Sequence, residues 1–359
     1  MELSLDFSRN TSNREATARL NRIRHEVEGI KTTTYRNMIE REGQKIQKRI
    51  ESKSEEALKA HGFTADGELC ENVDFKPEES RHIRIETIGT AMCELSIKQC
   101  NPSDYESPED SINISADDVC VKRQTETRPQ NADDEQPKRV NNTVIHVENG
   151  NGKYILNAAN LFCTLKILLG FLLCNDSLKK QLVFFTDGAR TIHNEINRMF
   201  AFSNYKIILD WYHLEKKCKE LLSMALKGRE IRNEFLDELT PFLWFGNIDG
   251  AIRLLENISP QKVRNLDKIA ELIGYFQRVR DYVPVYALRA EFGLRNSSNQ
   301  GEKANDLVVS QRQKHNGMSW SDHGSFAFAS VAAAHKNNEL LNWIHCNDIA
   351  FCFVRHDAA

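Results

Sequence analysis

The sequence lacks the features that mark several large classes of protein. Its formal net charge is only −3, so there is no overall basic excess typical of nucleic-acid-binding proteins, although a basic footprint can be local. Its nine cysteines include no C-x-x-C pair, which favours reduced thiols in a cytoplasmic protein over a zinc ribbon or a disulfide framework. A glycine-rich phosphate-binding loop is also missing, which argues against nucleotide hydrolysis.

Long apolar runs are missing as well. The N-terminus, MELSLDFSRN, has no apolar stretch of the kind that a signal peptide contains. The longest apolar run, Leu161–Cys174, is shorter than the roughly 20 residues of a membrane-spanning helix, and it contains Lys166. We therefore predict a buried helix there and no membrane partner.

The chain of 359 residues is long enough for two or three domains, or for one large domain with an insertion. Its start is charged and amphipathic, which fits a solvated helix or coiled-coil contact, or an arm that touches DNA or pairs subunits. The next part is punctuated by Gly and Pro. The predicted divisions are a helical N-terminal arm (1–60), a small DNA-recognition module or linker (61–110), the first part of a core (111–213), a helical insertion (214–292), and the last part of the core with a C-terminal tail (293–359).

Two predicted strands carry acids. Gln181–Asp187 is an apolar run that ends at an acid before Gly188, and α/β sheets place chemistry at such strand ends, although Asp-Gly also serves turn geometry. Ser111–Arg123 alternates like a strand but holds Asp117 and Asp118 in its middle. Acids are costly there unless they are paired, bound to metal or on an exposed edge.

The elements between these strands suggest a fold. The pattern predicts a hairpin turning at Asn149–Gly150, a buried helix at Asn160–Cys174 and a further strand at Tyr205–Leu209. The order strand, hairpin, helix, strand, helix, strand matches the first part of a ribonuclease-H-like core. We therefore predict an α/β protein with a ribonuclease-H-like mixed sheet, interrupted by an all-helical insertion.

A third acid, Glu302, opens the stretch Asn296–Trp320 and completes a set with Asp117 and Asp187. Two Asp and one Glu from two strands and a helix can converge in this core, and their oxygens suit Mg²⁺ or Mn²⁺. Two such ions activate the attacking oxygen and stabilise the leaving oxygen of an in-line phosphoryl transfer. The set therefore predicts metal-dependent chemistry on a phosphodiester.

Four stretches resemble, in the same order, the motifs of DDE transposases of the Mutator-like kind found in bacterial insertion sequences. They are ISADDVCVK, FFTDGARTI, DWYHLEKK and GEKANDLVVSQRQKHNGMSW, and together they cover roughly residues 111–322. The third matches the family's Asp/Cys-x-x-His signature, here Asp210 and His213. The resemblance implies that Asp117, Asp187 and Glu302 are catalytic and bind two Mg²⁺ or Mn²⁺ ions.

The resemblance also implies a transposase that cuts at terminal inverted repeats and joins the freed 3′-hydroxyl to target DNA. Such an enzyme works as a homo-oligomer on DNA, in the cytoplasm at the nucleoid. Two other hypotheses stay open: a ribonuclease-H-like nuclease that does not join strands, and an inactive DNA-binding relic. No clear helix-turn-helix is evident in the first 60 residues, so the element that reads DNA is unassigned.

The first acid of the set is ambiguous, because the family commonly has Asp-Gly where this chain has Asp117 followed by Asp118. The match of the preceding Ile-Ser-Ala favours Asp117. Successive strand residues face opposite ways, so Asp118 should point away from the site. We expect Asp118 and Asp210 to support the acids rather than to hold the ions.

Five further residues are candidates for contact with DNA. Lys122 and Arg123 follow the first acid, and Arg312 and Lys314 follow Glu302, so we predict that they meet phosphates. A solvated basic face is the alternative. His213 is either a packed structural residue at a strand–helix junction or a group that touches DNA or supports the site.

Overall fold

A computed structural model describes residues 1–26, 29–124, 137–314 and 318–355. Its strands are β1 (Ser111–Lys122), β2 (Arg139–Asn149), β3 (Gly152–Ala158), β4 (Gln181–Thr186), β5 (Tyr205–Leu209) and β6 (Val354–Arg355). Its first helices are α1 (Glu2–Asn10), α2 (Asn13–Ile23), α3 (Thr32–Ala60), α4 (Ile85–Glu94), α5 (Leu161–Cys174) and α6 (Arg190–Phe200). The others are α7 (Trp211–Ala225), α8 (Arg229–Trp244), α9 (Ile248–Glu256), α10 (Leu266–Val279), α11 (Tyr286–Glu291), α12 (Asn299–Asn305), α13 (Gln311–Gln313), α14 (Asp322–Lys336) and α15 (Leu340–Cys346).

The six strands form one mixed sheet in the order β5-β4-β1-β2-β3-β6. Strand β2 runs antiparallel to both of its neighbours, β1 and β3, whereas β4 runs parallel to β1 and β5 runs parallel to β4. The side chain of Asn149 accepts hydrogen bonds from the amides of Asn151 and Gly152, both at 2.9 Å, and so closes the β2–β3 turn. The predicted mixed α/β fold and hairpin are confirmed, and the bounds of β5 are the predicted ones.

The N-terminal helices are part of the main core and do not form a separate arm. Helix α3 packs against both α5 and α14, and its Tyr35, Ile39 and Ile46 are fully buried. Helices α3 and α14 approach closely at Gly43, where a Cβ atom would lie 2.1 Å from the carbonyl oxygen of Ala327. The amphipathic stripe of the first 60 residues therefore faces this protein's own core, and the predicted arm is wrong.

The predicted helical insertion corresponds to α7–α11 and has its own apolar core, which also contacts β4 and β5. Residues 61–110 contribute α4, which packs on α11. A buried ion pair ties the two regions together, with Arg289 Nη2 donating to Glu106 Oε1 at 2.7 Å. Residues 61–110 are therefore fastened to the insertion and do not form a free linker.

None of the helices in the described ranges combines the length and the apolar character needed to cross a membrane. The apolar helix α5 is instead packed between α3 and the sheet.

Candidate functional site

Asp117 and Asp187 lie at the same level on neighbouring strands. The parallel register pairs Ser115 with Phe185, so two residues further along Asp117 stands level with Asp187. The register of β4 and β5 pairs Thr186 with Leu209, so one residue further along Asp187 stands level with Asp210. Adjacent strands are about 4.8 Å apart. The register therefore brings Asp117, Asp187 and Asp210, which are far apart in the sequence, close together where β4 and β5 end.

Asp117 points toward the helix that carries Glu302. One of its oxygens accepts a hydrogen bond from Asn305 Nδ2 at 2.6 Å, and the other accepts from the Asp118 amide at 2.9 Å. Burial raises the pKa of the Asp117 carboxyl. The Asp187 carboxylate adds to that rise, while His213 and the two hydrogen bonds oppose it. Asp117 is therefore a fixed, half-buried acid whose negative charge is only partly balanced.

Asp118 points away from this group, as the alternation of the strand predicts. Its side chain is exposed and accepts a hydrogen bond from the Thr143 hydroxyl on β2. It is therefore bound to the sheet and does not support the acids. Of the two neighbouring acids, Asp117 is the one that faces Asn305 and Asp187.

Asp187 follows the last residue of β4 and is exposed. Its Oδ1 accepts a hydrogen bond from the Ala189 amide at 2.8 Å, which leads the chain into α6. This bond is the turn geometry that an Asp-Gly pair commonly provides. The carboxylate still has one oxygen available to a ligand, because a carboxylate offers two.

Asp210 lies between β5 and α7 and joins two parts of the chain through its side chain. It is 1% exposed, and its Oδ1 accepts from the His213 amide at 2.7 Å, which caps α7. Its Oδ2 accepts from the Ser298 amide, which precedes α12. Burial raises the pKa of Asp210, but hydrogen bonds from His213 and Ser298 outweigh it and give a net lowering. Asp210 is thus a buried carboxylate that stays ionised.

His213 lies between Asp210 and Glu302. Its Nδ1 is 3.2 Å from Asp210 Oδ1, without the alignment of a hydrogen bond, and its Nε2 is 3.8 Å from Glu302 Oε1. Asp210 raises the pKa of the imidazole, burial opposes it, and Glu302 and Asp187 add to the rise. The ring is therefore more readily cationic than an ordinary histidine, and when it is protonated it supplies positive charge among the acids.

Glu302 lies in the first turn of α12, which is pressed onto β1. A Cβ atom at the neighbouring Gly301 would lie 2.7 Å from the Ser115 side chain, so only glycine permits this approach. Burial raises the pKa of Glu302, and Asp210 and Asp117 add to the rise, while His213 and Lys216 oppose it. The helix therefore brings its carboxylate into the electrostatic range of the strand acids.

Asn305 is a residue of the site that the sequence analysis missed. It lies three residues after Glu302, and residues at that spacing share one face of a helix. The spacing itself was a usable signal. The helix continues through a π-helical segment at Asp306–Ser310, and such segments are frequent at functional sites.

The predicted DNA contact at Arg312 is wrong. Its side chain is 5% exposed, and Nε donates to the Ser8 carbonyl at 3.0 Å while Nη2 donates to Asn13 Oδ1 at 3.1 Å. The guanidinium also stacks near the rings of Trp320 and Phe328, at 5.0 and 5.3 Å from their centroids. Arg312 fastens the N-terminal helices to the core.

The other predicted cations differ in availability. Arg123 pairs with Asp322, with Nη2 donating to Oδ1 at 2.8 Å, so its charge is already engaged. Lys122 and Lys314 are exposed. Residues 125–136 and 315–317, which include part of the fourth motif, lie outside the described residues.

The donor chemistry of the acids fits a hard divalent cation. Carboxylate oxygens are the ligands that Mg²⁺ and Mn²⁺ prefer, and the raised pKa values of Asp117 and Glu302 mark negative charge that a cation would balance. Within the described ranges, however, no three His, Cys, Asp or Glu side chains are grouped closely enough to hold one ion. A shared ion therefore requires these side chains to turn toward one another.

A cavity of about 310 Å³ opens beside Asp187, between α7 and α10. Three cations line it: Lys216, Lys217 and Arg278. Their positions give little signal in the sequence, because charged residues are common on the exposed faces of any helical segment.

Comparison with known proteins gives no relative from which to assign this site: no protein-family model, no curated protein and no solved structure matches the chain.

Proposed function

We propose that this protein is a DDE-type transposase that uses Asp117, Asp187 and Glu302 to cut DNA ends and to join a 3′-hydroxyl to target DNA. The observation that carries the proposal is the convergence of these acids. Two stand level on neighbouring parallel strands, and α12, which carries the third, packs against β1 where Gly301 meets Ser115. A structural role does not call for neighbouring carboxylates of this kind, since the charge of Asp187 raises the pKa of Asp117 and the charge of Asp117 raises the pKa of Glu302.

The sheet supports the same proposal. Three antiparallel strands followed by two parallel ones, with the acids at the junction of β1 and β4, is the arrangement expected of a ribonuclease-H-like core. The all-helical segment between β5 and α12 lies where the transposase resemblance expects an insertion. Fold alone does not fix function, so the weight rests on the acids.

The chain's own residues fit the roles that this chemistry needs. Asn305 fixes the orientation of Asp117 through a 2.6 Å hydrogen bond. Asp210 holds the backbone amide of His213, and the His213 ring, when protonated, places positive charge 3.8 Å from Glu302. Two divalent ions, when bound, would supply an activated water or 3′-hydroxyl and a stabilised leaving oxygen. Asp117, Asp187 and Glu302 would be their ligands.

The proposal can be tested with labelled duplex DNA that carries the sequences flanking the gene, in Mn²⁺. Wild-type protein should cut this DNA and join it to a second molecule. Asp187→Asn and Glu302→Gln should do neither, because each removes a ligand charge while preserving shape. Asp118→Asn is the matched control: it makes the same change on the same strand but on the opposite face, and it should keep activity.

Metal binding gives a second measurement that does not depend on activity. Mn²⁺ should raise the melting temperature of the wild-type protein, because a ligand that binds only the folded state stabilises it. The increase should be smaller in Asp187→Asn and unchanged in Asp118→Asn. Cutting that survives Asp187→Asn would contradict the proposal. Cutting without joining would identify a nuclease, and binding without cutting would identify a DNA-binding relic.

The proposed reaction acts on the two ends of one element, so it also calls for more than one copy of the protein on the DNA, at the nucleoid. Sedimentation with and without the flanking DNA would measure the number of copies.

A further inference from the structure

We propose that the cavity between α7 and α10 binds the phosphate backbone of the DNA strand that enters the site, through Lys216, Lys217 and Arg278. This inference rests on the proposed function and specifies which part of the insertion touches the substrate.

The cavity lies directly beside Asp187. Asp187 and His213 form part of its wall, so the cavity reaches the candidate site at these two residues. Helix α7 contributes Lys216 and Lys217 on one side, and α10 contributes Arg278 on the other. A strand held between the two helices would therefore pass directly beside Asp187.

These cations have few ion-pair partners in the described part of the chain. Lys216 and Arg278 are exposed. In the described part of the chain, no carboxylate oxygen lies within 4.0 Å of the charged nitrogens of either residue, which is the limit for an ion pair. Arg278 lies over the Tyr275 ring, 5.2 Å from its centroid. Lys217 has only a long contact with Glu271, at 3.9 Å. Their charges are therefore available to a ligand.

The lining of the cavity carries more positive than negative side chains. Three cations line the cavity against two carboxylates, those of Asp187 and Glu220, and His213 adds positive charge when it is protonated. Lys216 also acts on the site itself, since its charge opposes the rise in the pKa of Glu302 that burial causes. A phosphodiester approaching three acids meets repulsion, and cations beside the acids offset it and guide the strand.

The test measures how DNA affinity depends on salt. A labelled duplex of mixed sequence is titrated at several salt concentrations with a metal chelator present, so that binding is read without cutting. The test variant is Lys216→Ala/Arg278→Ala. The matched control is Lys219→Ala/Arg229→Ala, which removes two exposed cations of the insertion at positions outside the cavity. Thermal unfolding checks that both variants are folded.

The slope of log affinity against log salt changes by about one for each phosphate contact that is lost. We therefore expect the slope of the test variant to be shallower by about two and that of the control to match the wild type. Equal slopes in the wild type and the test variant would overturn the inference, as would an equal loss in the control.

The failure of this inference can be told apart from that of the proposed function. A shallower slope in the test variant supports the phosphate site even where wild-type protein does not cut DNA in Mn²⁺. An unchanged slope in a protein that does cut DNA overturns the phosphate site and leaves the proposed function standing. No binding of the duplex by the wild-type protein would overturn both.

Discussion

Replacing Asp210 with Asn tests whether one buried carboxylate holds the site together. Asn is as good a helix cap as Asp, so the bond from the His213 amide survives and α7 keeps its start. The second oxygen becomes an NH₂ group that faces the Ser298 amide. A buried amide then loses its acceptor, which costs about 1–3 kcal/mol.

The alanine variant separates the two contributions of this side chain. Asp210→Ala also removes the helix cap, which costs about 1 kcal/mol more. Chemical denaturation should therefore give a free energy of unfolding lower by about 1–3 kcal/mol for Asp210→Asn and by about 2–4 kcal/mol for Asp210→Ala. Asp249→Asn is a control at an exposed ion pair with Arg280, where we expect no measurable change.

The pH dependence follows from the two shifted groups. The pKa of Asp210 is below its ordinary 3.8, so its stabilisation is complete above that value and is lost as pH falls through the lowered pKa. The pKa of His213 is above its ordinary 6.5, so its stabilisation is complete below 6.5 and is lost as pH rises through the raised pKa. The difference in stability between wild type and Asp210→Asn should therefore be largest between pH 3.8 and 6.5.

The decisive measurement is the titration of His213 by NMR, identified by the signal that disappears in His213→Gln. In Asp210→Asn the midpoint should move to lower pH, because the carboxylate that raises the pKa has lost its charge. A midpoint that stays in place, together with unchanged stability, would refute this role for Asp210.

Three further changes test other parts of the structure. Arg289→Met leaves the buried Glu106 carboxylate unpaired and should lower the free energy of unfolding by about 3–5 kcal/mol, and Glu106→Leu in the same chain should recover much of it. Gly301→Val should cost about 1–3 kcal/mol and reduce cutting, because its side chain would push α12 off Ser115. Arg312→Gln should lower the melting temperature without changing the salt dependence of DNA binding, and a changed slope would restore Arg312 as a phosphate contact.

Much of the sheet could be predicted because its signals are local. Strands β4 and β5 are short apolar runs that end at acids, and their ends agree with the pattern. The orientation of Asp117 followed from the two-residue period of a strand. The register that sets Asp117 level with Asp187 was not predictable, because it joins segments some 70 residues apart (187 − 117 = 70).

The errors came from contacts between distant parts of the chain. Arg312 reads as a basic residue on a helix, and only the folded chain brings Ser8, Asn13 and two aromatic rings around it. The stripe of α3 shows an apolar face but not what covers it, and the cover proves to be α5 and α14. A periodic pattern specifies which residues share a face, and it leaves the partner of that face undetermined.

The helical insertion is fastened to the core both where it begins and where it ends. The amide of Trp211, its first residue, donates to the Asn296 carbonyl at 3.0 Å, and the Ser298 amide donates to Asp210. These two bonds close the base of the insertion beside the sheet, while α7 and α10 extend from it past Asp187. The sheet therefore sets the positions of Asp117, Asp187 and Asp210, and the role that we propose for the insertion comes from the cations that it places beside Asp187.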